Sequence, residues 1–176
     1  MRLPSSEESG EILSSIGIDI FGTDNYLMKD FGSVIYRCDI SSAPRIPSLI
    51  TSQNINELPS VSNIDIISLK DINLGFDDKK KLTRGIGLEI AVSGLRGADG
   101  RQLGRWITEI SSLYDFCKHS RFQFILSSGA TSTCELISGR SFDSLLKTCS
   151  IDPKSYWNDL DHWLQSKLIK RCINFA

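Results

Sequence analysis

A serine nucleophile needs a histidine base within reach, and this chain of 176 residues has two histidines, His119 and His162. Both fall in stretches of helical periodicity, His119 at a helix end and His162 in an amphipathic run, where an imidazole serves as a surface or helix-terminal group. A metal-dependent phosphoesterase needs His, Asp and Glu clustered at strand ends, commonly opened by an HxH or HxD pair, and that pattern is absent. Asp19, Asp39, Asp65 and Glu89 stand in or beside apolar runs as isolated carboxylates, the usual setting of caps and ion-pair partners. Glu89 is the most demanding of them: inside GLEIAV it must meet a cation or a cluster of donors if that strand is buried, and Arg37 and Lys70 are the candidate partners. Cys38, Cys117, Cys134, Cys149 and Cys172 are odd in number, and no two fall at CxxC spacing. They are read as reduced thiols at apolar positions, not as disulfides or zinc ligands.

Two further groups of residues suit phosphate. SSGATS, Ser127 to Ser132, is a small-residue turn that either frees backbone N–H groups for an anion or closes tightly, with serine hydroxyls satisfying the backbone. Neither a Walker A loop nor a GxGxxG fingerprint is present. Arg84, Arg96, Arg101 and Arg105 gather around one predicted strand–helix unit, with Arg140 further on, and guanidinium forks of this kind can hold several phosphates of a folded RNA. Lys79, Lys80 and Lys81 follow Asp77 and Asp78 and read as the solvated face of a short helix. The net charge of −1 neither suggests nor excludes a polyanionic partner, because a local basic face decides that. An RNA-recognition fingerprint with stacking aromatics is lacking.

These residues need a scaffold. Ile86–Val92 and Phe122–Leu126 are short apolar runs that read as buried strands, and Gln102–Lys118 between them repeats apolar residues at helical spacing. A connection of that length carrying a helix implies parallel strands and a right-handed crossover. Earlier in the chain, Glu11–Ser15 is expected to be helical, Ile18–Phe21, Val34–Cys38 and Ile64–Leu69 to be strands, and Ser48–Leu58 to form a short helix after Pro47. Asp77–Leu82 and Phe142–Cys149 read as helices, Thr133–Arg140 is ambiguous, and a last helix opens at Pro153 with Trp157, Leu160, Trp163, Leu164, Leu168 and Ile169 at three-and-four spacing.

With 40% hydrophobic and 23% charged residues, residues 1–176 are read as one domain with a full core. Alternating strands and helices without an internal repeat point to an α/β fold with a parallel sheet, as an open sheet or a barrel. A complete eight-unit barrel takes about 250 residues, so a barrel here would be reduced or distorted. In either form the functional edge is the carboxyl end of the strands. No apolar run approaches the roughly 18 residues needed to cross a bilayer, and MRLPSSEESG lacks the basic flank and apolar core of a signal peptide. The expectation is a chain that makes no use of a membrane and stays in the cytoplasm.

The order of motifs resembles one family. DIISL (Asp65–Leu69), a basic run, GIGLEIAVSGL (Gly85–Leu95), an amphipathic helix, FQFILSSGA (Phe122–Ala130) with Glu135 and Arg140, and then SFDSLLKTCSID are similar to protein component 3 of archaeal ribonuclease P, shared with the eukaryotic ribonuclease P and MRP complexes. The similarity covers roughly Asp65 to Asp152. The resemblance implies a reduced or distorted TIM-like barrel of the polymerase-and-histidinol-phosphatase (PHP) type, with mainly parallel strands and flanking helices, used as an RNA-binding scaffold. It implies a non-catalytic subunit of an endoribonuclease that removes 5′ leaders from precursor tRNA. The ribonuclease P RNA and its magnesium ions would do the hydrolysis, the protein binding no cofactor or metal of its own, and a ferredoxin-like protein subunit would be its partner. The motif positions carried over are Glu89, Ser127, Ser128, Gly129, Ala130 and Arg140, whereas Arg84, Arg96, Arg101 and Arg105 are assigned from charge placement. A free-standing metal-dependent phosphoesterase of the PHP barrel superfamily is the alternative, and a protein-interaction module is a third reading.

Overall fold

A computed structural model of the chain describes residues 21–23, 34–39, 48–57, 63–131 and 135–175. Six strands run through them: β1 (Phe21–Thr23), β2 (Val34–Asp39), β3 (Leu49–Ser52), β4 (Ile66–Ser68), β5 (Gly87–Ala91) and β6 (Gln123–Ser127). The α-helices are α1 (Phe76–Lys81), α2 (Gly100–Ser120), α3 (Gly139–Thr148) and α4 (Pro153–Phe175), with short 3₁₀ turns at Ile55–Glu57 and Val92–Leu95. Every strand pairing is parallel, and strand order follows chain order from β1 to β6. The protein is therefore a mixed α/β structure with an all-parallel sheet flanked by helices. Among the described residues no helix is long and apolar enough to cross a membrane.

The unit β5–α2–β6 forms as its periodicity predicts. Asp99 caps α2 by accepting from the Gln102 N–H at 2.8 Å, while the Gln102 side chain accepts from the Asp99 N–H at 2.9 Å, so two donors at the helix start are satisfied reciprocally. Arg121 ends the helix in the left-handed region, at φ 60°, and turns the chain directly into β6. α3 starts at Gly139, three residues before the expected Phe142, because the Ser138 hydroxyl accepts from the Ser141 N–H and sets the boundary.

Ser48–Leu58 departs from expectation. Instead of a helix after Pro47, Leu49–Ser52 is strand β3, followed by the 3₁₀ turn. Ile50 and Thr51 are β-branched, Leu49 is buried, and β2 and β4 offer a ladder on either side, so pairing overrides the helix-start signal of the proline. The predicted helix Glu11–Ser15 and residues 18–20 of the predicted first strand lie outside the described residues.

Alternation along the strands divides two cores. Ile67, Leu88, Ile90, Phe124 and Leu126 meet Trp106, Ile110, Leu113 and Cys117 of α2 and Phe142 and Leu146 of α3. On the other face, Leu49, Ile66 and Ile125 meet Leu160, Trp163, Leu164 and Leu168 of α4. Gly87 belongs to this second face. A Cβ there would come within 2.6 Å of Ile125 and 3.1 Å of the Trp163 ring, so the missing side chain is the space in which the indole lies. The Trp163 Nε1–H donates to the Gly85 carbonyl at 2.9 Å, and Lys167 reaches the buried Asp65 at 3.4 Å, which places α4 against the amino end of this face.

α4 also deals with the edge of the sheet. The Leu126 N–H of β6 donates to the buried Tyr156 hydroxyl at 2.9 Å, which satisfies a backbone group that β5 does not pair. The expected single apolar stripe on this helix is thus shared between jobs: Tyr156 joins the first core, Leu160 to Leu168 the second, and Trp157 and Ile169 are exposed.

Candidate functional site

Beyond the part of the second face that α4 covers lies a polar cluster. Glu89, third residue of β5, is 5% exposed, and Arg37 of β2 grips it with two parallel bonds, Nη1 to Oε1 and Nη2 to Oε2, each 2.7 Å. The Ser68 hydroxyl donates to Glu89 Oε2, and Ser127 stands beside the carboxylate and helps to stabilise its charge. Burial alone would raise the Glu89 pKa. The Arg37 fork, its charge and the two hydroxyls outweigh that and hold the carboxyl below its ordinary range, so it is ionised at neutral pH. Of the two candidate partners, Arg37 is the one used; Lys70 is exposed. A carboxylate so supplied with donors is held in its ionised form.

The meeting of Arg37 and Glu89 also reports the shape of the sheet. β2 and β5 are three strand spacings apart, about 14 Å on a flat sheet. The pairs Arg37↔Leu49, Thr51↔Ile66 and Ile66↔Gly87, extended along the ladder, bring the row through Arg37 to position 85 of the chain, four residues short of Glu89. Side chains perpendicular to a flat sheet would not meet across that separation. Contact at 2.7 Å requires the sheet to curl around this face with its strands tilted.

Gly129 fixes the SSGA turn at the carboxyl end of β6. Its φ is +61°, and a Cβ there would overlap the Ser93 hydroxyl and lie 2.7 Å from the Ala91 Cβ. The Ser93 N–H donates to the Ser128 carbonyl at 3.1 Å, and the Ala130 N–H donates to the Ser128 hydroxyl at 3.2 Å. Of the two sequence alternatives, these bonds describe the close-packed turn, with the Ser128 hydroxyl satisfying the backbone and Ser127 turned to Glu89.

The arginines divide between the two ends of the sheet. Arg96 follows β5, Arg101 and Arg105 lie in the first turns of α2, and Arg140 is the second residue of α3; all four are exposed and belong to the carboxyl edge. Arg84 does not join them. It precedes β5, beside Gly85, whose N–H donates to the Arg121 carbonyl, and therefore sits at the amino edge. The expected grouping of four around one strand–helix unit is corrected to Arg96, Arg101 and Arg105, with Arg140 added across the edge.

Two of these arginines already have carboxylate partners. Arg96 pairs with Glu135 at 2.5 Å, and Arg105 pairs with Glu109 at 2.8 Å, Glu109 also accepting from Asn73. The Thr131 N–H and hydroxyl both reach Glu135 at 2.7 Å, and with Arg96 they hold its carboxyl down to about 2. Sequence reasoning missed Ser68, Thr131, Glu109 and the role of Glu135. Ser68 carried a signal, since alternation from Ile66 places it on the face of Glu89; the Arg96–Glu135 pair spans 39 residues and carried none.

His119 binds its own helix through Asp115 O at 2.7 Å, in the last turn of α2 at the amino edge, opposite Ser127. Of the carboxylates considered, Asp39 is exposed at the end of β2, Asp65 is engaged by Lys167 at the amino edge, and Asp19 lies outside the described residues. Among the described residues no three His, Cys, Asp or Glu come together as metal ligands would. Cys38, Cys117 and Cys149 are buried, and burial pushes the thiols of Cys117 and Cys149 up to about 12 and about 11. Neither models of known protein families nor curated protein sequences match this chain.

Proposed function

We propose that this chain is a non-catalytic protein subunit of a ribonuclease P ribonucleoprotein of the archaeal component 3 type, acting in the cytoplasm. In this reading the curled, sequentially ordered parallel sheet is a reduced TIM-like barrel, its concave face filled by α4 at one end and by the Arg37–Glu89 cluster at the other. An offset of four residues across three strands is close to the shear of about one residue per strand in an eight-stranded barrel. The observation that carries the proposal is the division of charge at the carboxyl edge. The inward carboxylate, Glu89, is closed off by Arg37, Ser68 and Ser127, while Arg96, Arg101, Arg105 and Arg140 stand outside on the solvent side. Such an edge offers phosphate contacts without a reacting group.

The ligands would be the ribonuclease P RNA and, within the holoenzyme, precursor tRNA, with a ferredoxin-like protein subunit as partner. Magnesium would be held by the RNA. Reconstitution tests this directly. With the catalytic RNA and the other proteins present, omitting this chain is expected to lower the rate of 5′-leader removal. Equal cleavage without it, or phosphate-ester hydrolysis by the protein alone with stoichiometric bound metal, contradicts the proposal.

A further inference from the structure

At the carboxyl edge, the Val92–Leu95 turn and the SSGA turn border a cavity of about 200 Å³ lined by Ser93, Arg96, Ser128, Glu135 and Ile137 among others. Arg96 also lines a neighbouring cleft of about 460 Å³, which it shares with Gln102, Arg105 and Glu109. The Glu135 carboxylate lines the smaller of these spaces. Its Oε1 takes the Arg96 guanidinium at 2.5 Å, and its Oε2 takes the Thr131 N–H and hydroxyl, each at 2.7 Å. A guanidinium, a main-chain N–H and a hydroxyl converging on two oxygens form a donor set that fits any oxyanion. Glu135 and Arg96 are also reachable, their side chains 28% and 48% exposed, so an incoming anion can exchange with the carboxylate without unfolding the edge. Arg105 and Glu109 repeat the arrangement in the adjoining cleft, again with an exposed arginine held by a carboxylate.

We infer that Glu135 is an internal stand-in for phosphate, and that the Arg96–Thr131 donor set is an anion site that takes a backbone phosphodiester of RNA in exchange for it. The donor set stands on its own geometry; the RNA source of the phosphate rests on the function proposed above. The exchange is electrostatic, with no bond made or broken. Glu135 then sets how readily the edge binds: a ligand must displace it, which suppresses weak contacts with other polyanions.

Glu135→Gln removes the competing charge. The variant chain is titrated with inorganic phosphate, followed through the Thr131 amide by NMR, and separately with a short single-stranded oligoribonucleotide by fluorescence anisotropy. Affinity for both is expected to rise about three- to tenfold. Adding Arg96→Ala should abolish the gain and reduce the salt dependence by about one phosphate contact. Binding equal to or weaker than the parent's overturns the inference, as does loss of the fold in the Gln variant by circular dichroism, because Glu135 is then a brace. A gain for phosphate without a gain for the oligonucleotide supports the anion site and contradicts RNA as its ligand.

Discussion

Glu89 is ionised although buried because the Arg37 fork and two serine hydroxyls together outweigh desolvation. Removing the carboxylate takes a two-bond fork away from a guanidinium that is only a quarter exposed. Glu89→Ala is therefore expected to lose about 3 kcal/mol of stability in urea denaturation at pH 7. The acid response follows from the same bonds. With its folded-state pKa below the ordinary 4.5, Glu89 contributes stability in full above about pH 4.5 and loses it as the pH falls through the folded value. Glu135, held down to about 2, acts in the same direction between 4.5 and about 2. Parent protein should weaken steeply below pH 4.5, whereas Glu89→Gln should start lower at pH 7 and fall less; parallel curves would show that Glu89 does not drive the acid transition. Gly129→Ala puts a side chain at positive φ against Ser93, so a loss of about 2 kcal/mol is expected by thermal unfolding, partly recovered by adding Ser93→Gly.

At the scale of elements, α4 unites the amino end of the concave face with the edge of β6. Tyr156→Phe strands the Leu126 N–H, and a loss of about 1–3 kcal/mol is expected, with faster hydrogen exchange at that one amide. Unchanged exchange at Leu126 would mean that the edge is satisfied in another way. The elements that were legible in the sequence are those whose burial pattern is local. β5 and β6 are short apolar runs and α2 repeats apolar residues at helical spacing, each within its own length, and Pro153 marks the start of α4. β3 was not legible, because what makes Leu49–Ser52 a strand is the ladder offered by β2 and β4, while the local signal after Pro47 favoured a helix. The site divides in the same way. Glu89 announced itself as a carboxylate in an apolar run with Arg37 and Lys70 as candidate partners, but Ser68, Thr131 and the Glu135 pairing depend on how the strands curl and on contacts across dozens of residues.

At the scale of the whole molecule, one end of the concave face is filled by apolar side chains of α4 and the other by the polar cluster around Glu89. What it presents to solvent at its carboxyl edge is a set of arginines, two of them tempered by carboxylates. Arg84, at the amino edge, serves as the internal control. The most direct measurement is the salt dependence of binding to the ribonuclease P RNA, comparing the parent with a variant carrying alanine at Arg96, Arg101, Arg105 and Arg140, and with Arg84→Ala. Each phosphate contact removed should lower the slope of log affinity against log salt by roughly 0.7–0.9. A drop corresponding to about four contacts is expected in the four-site variant and none in Arg84→Ala. An unchanged slope in the four-site variant, or an equal drop in Arg84→Ala, would contradict it.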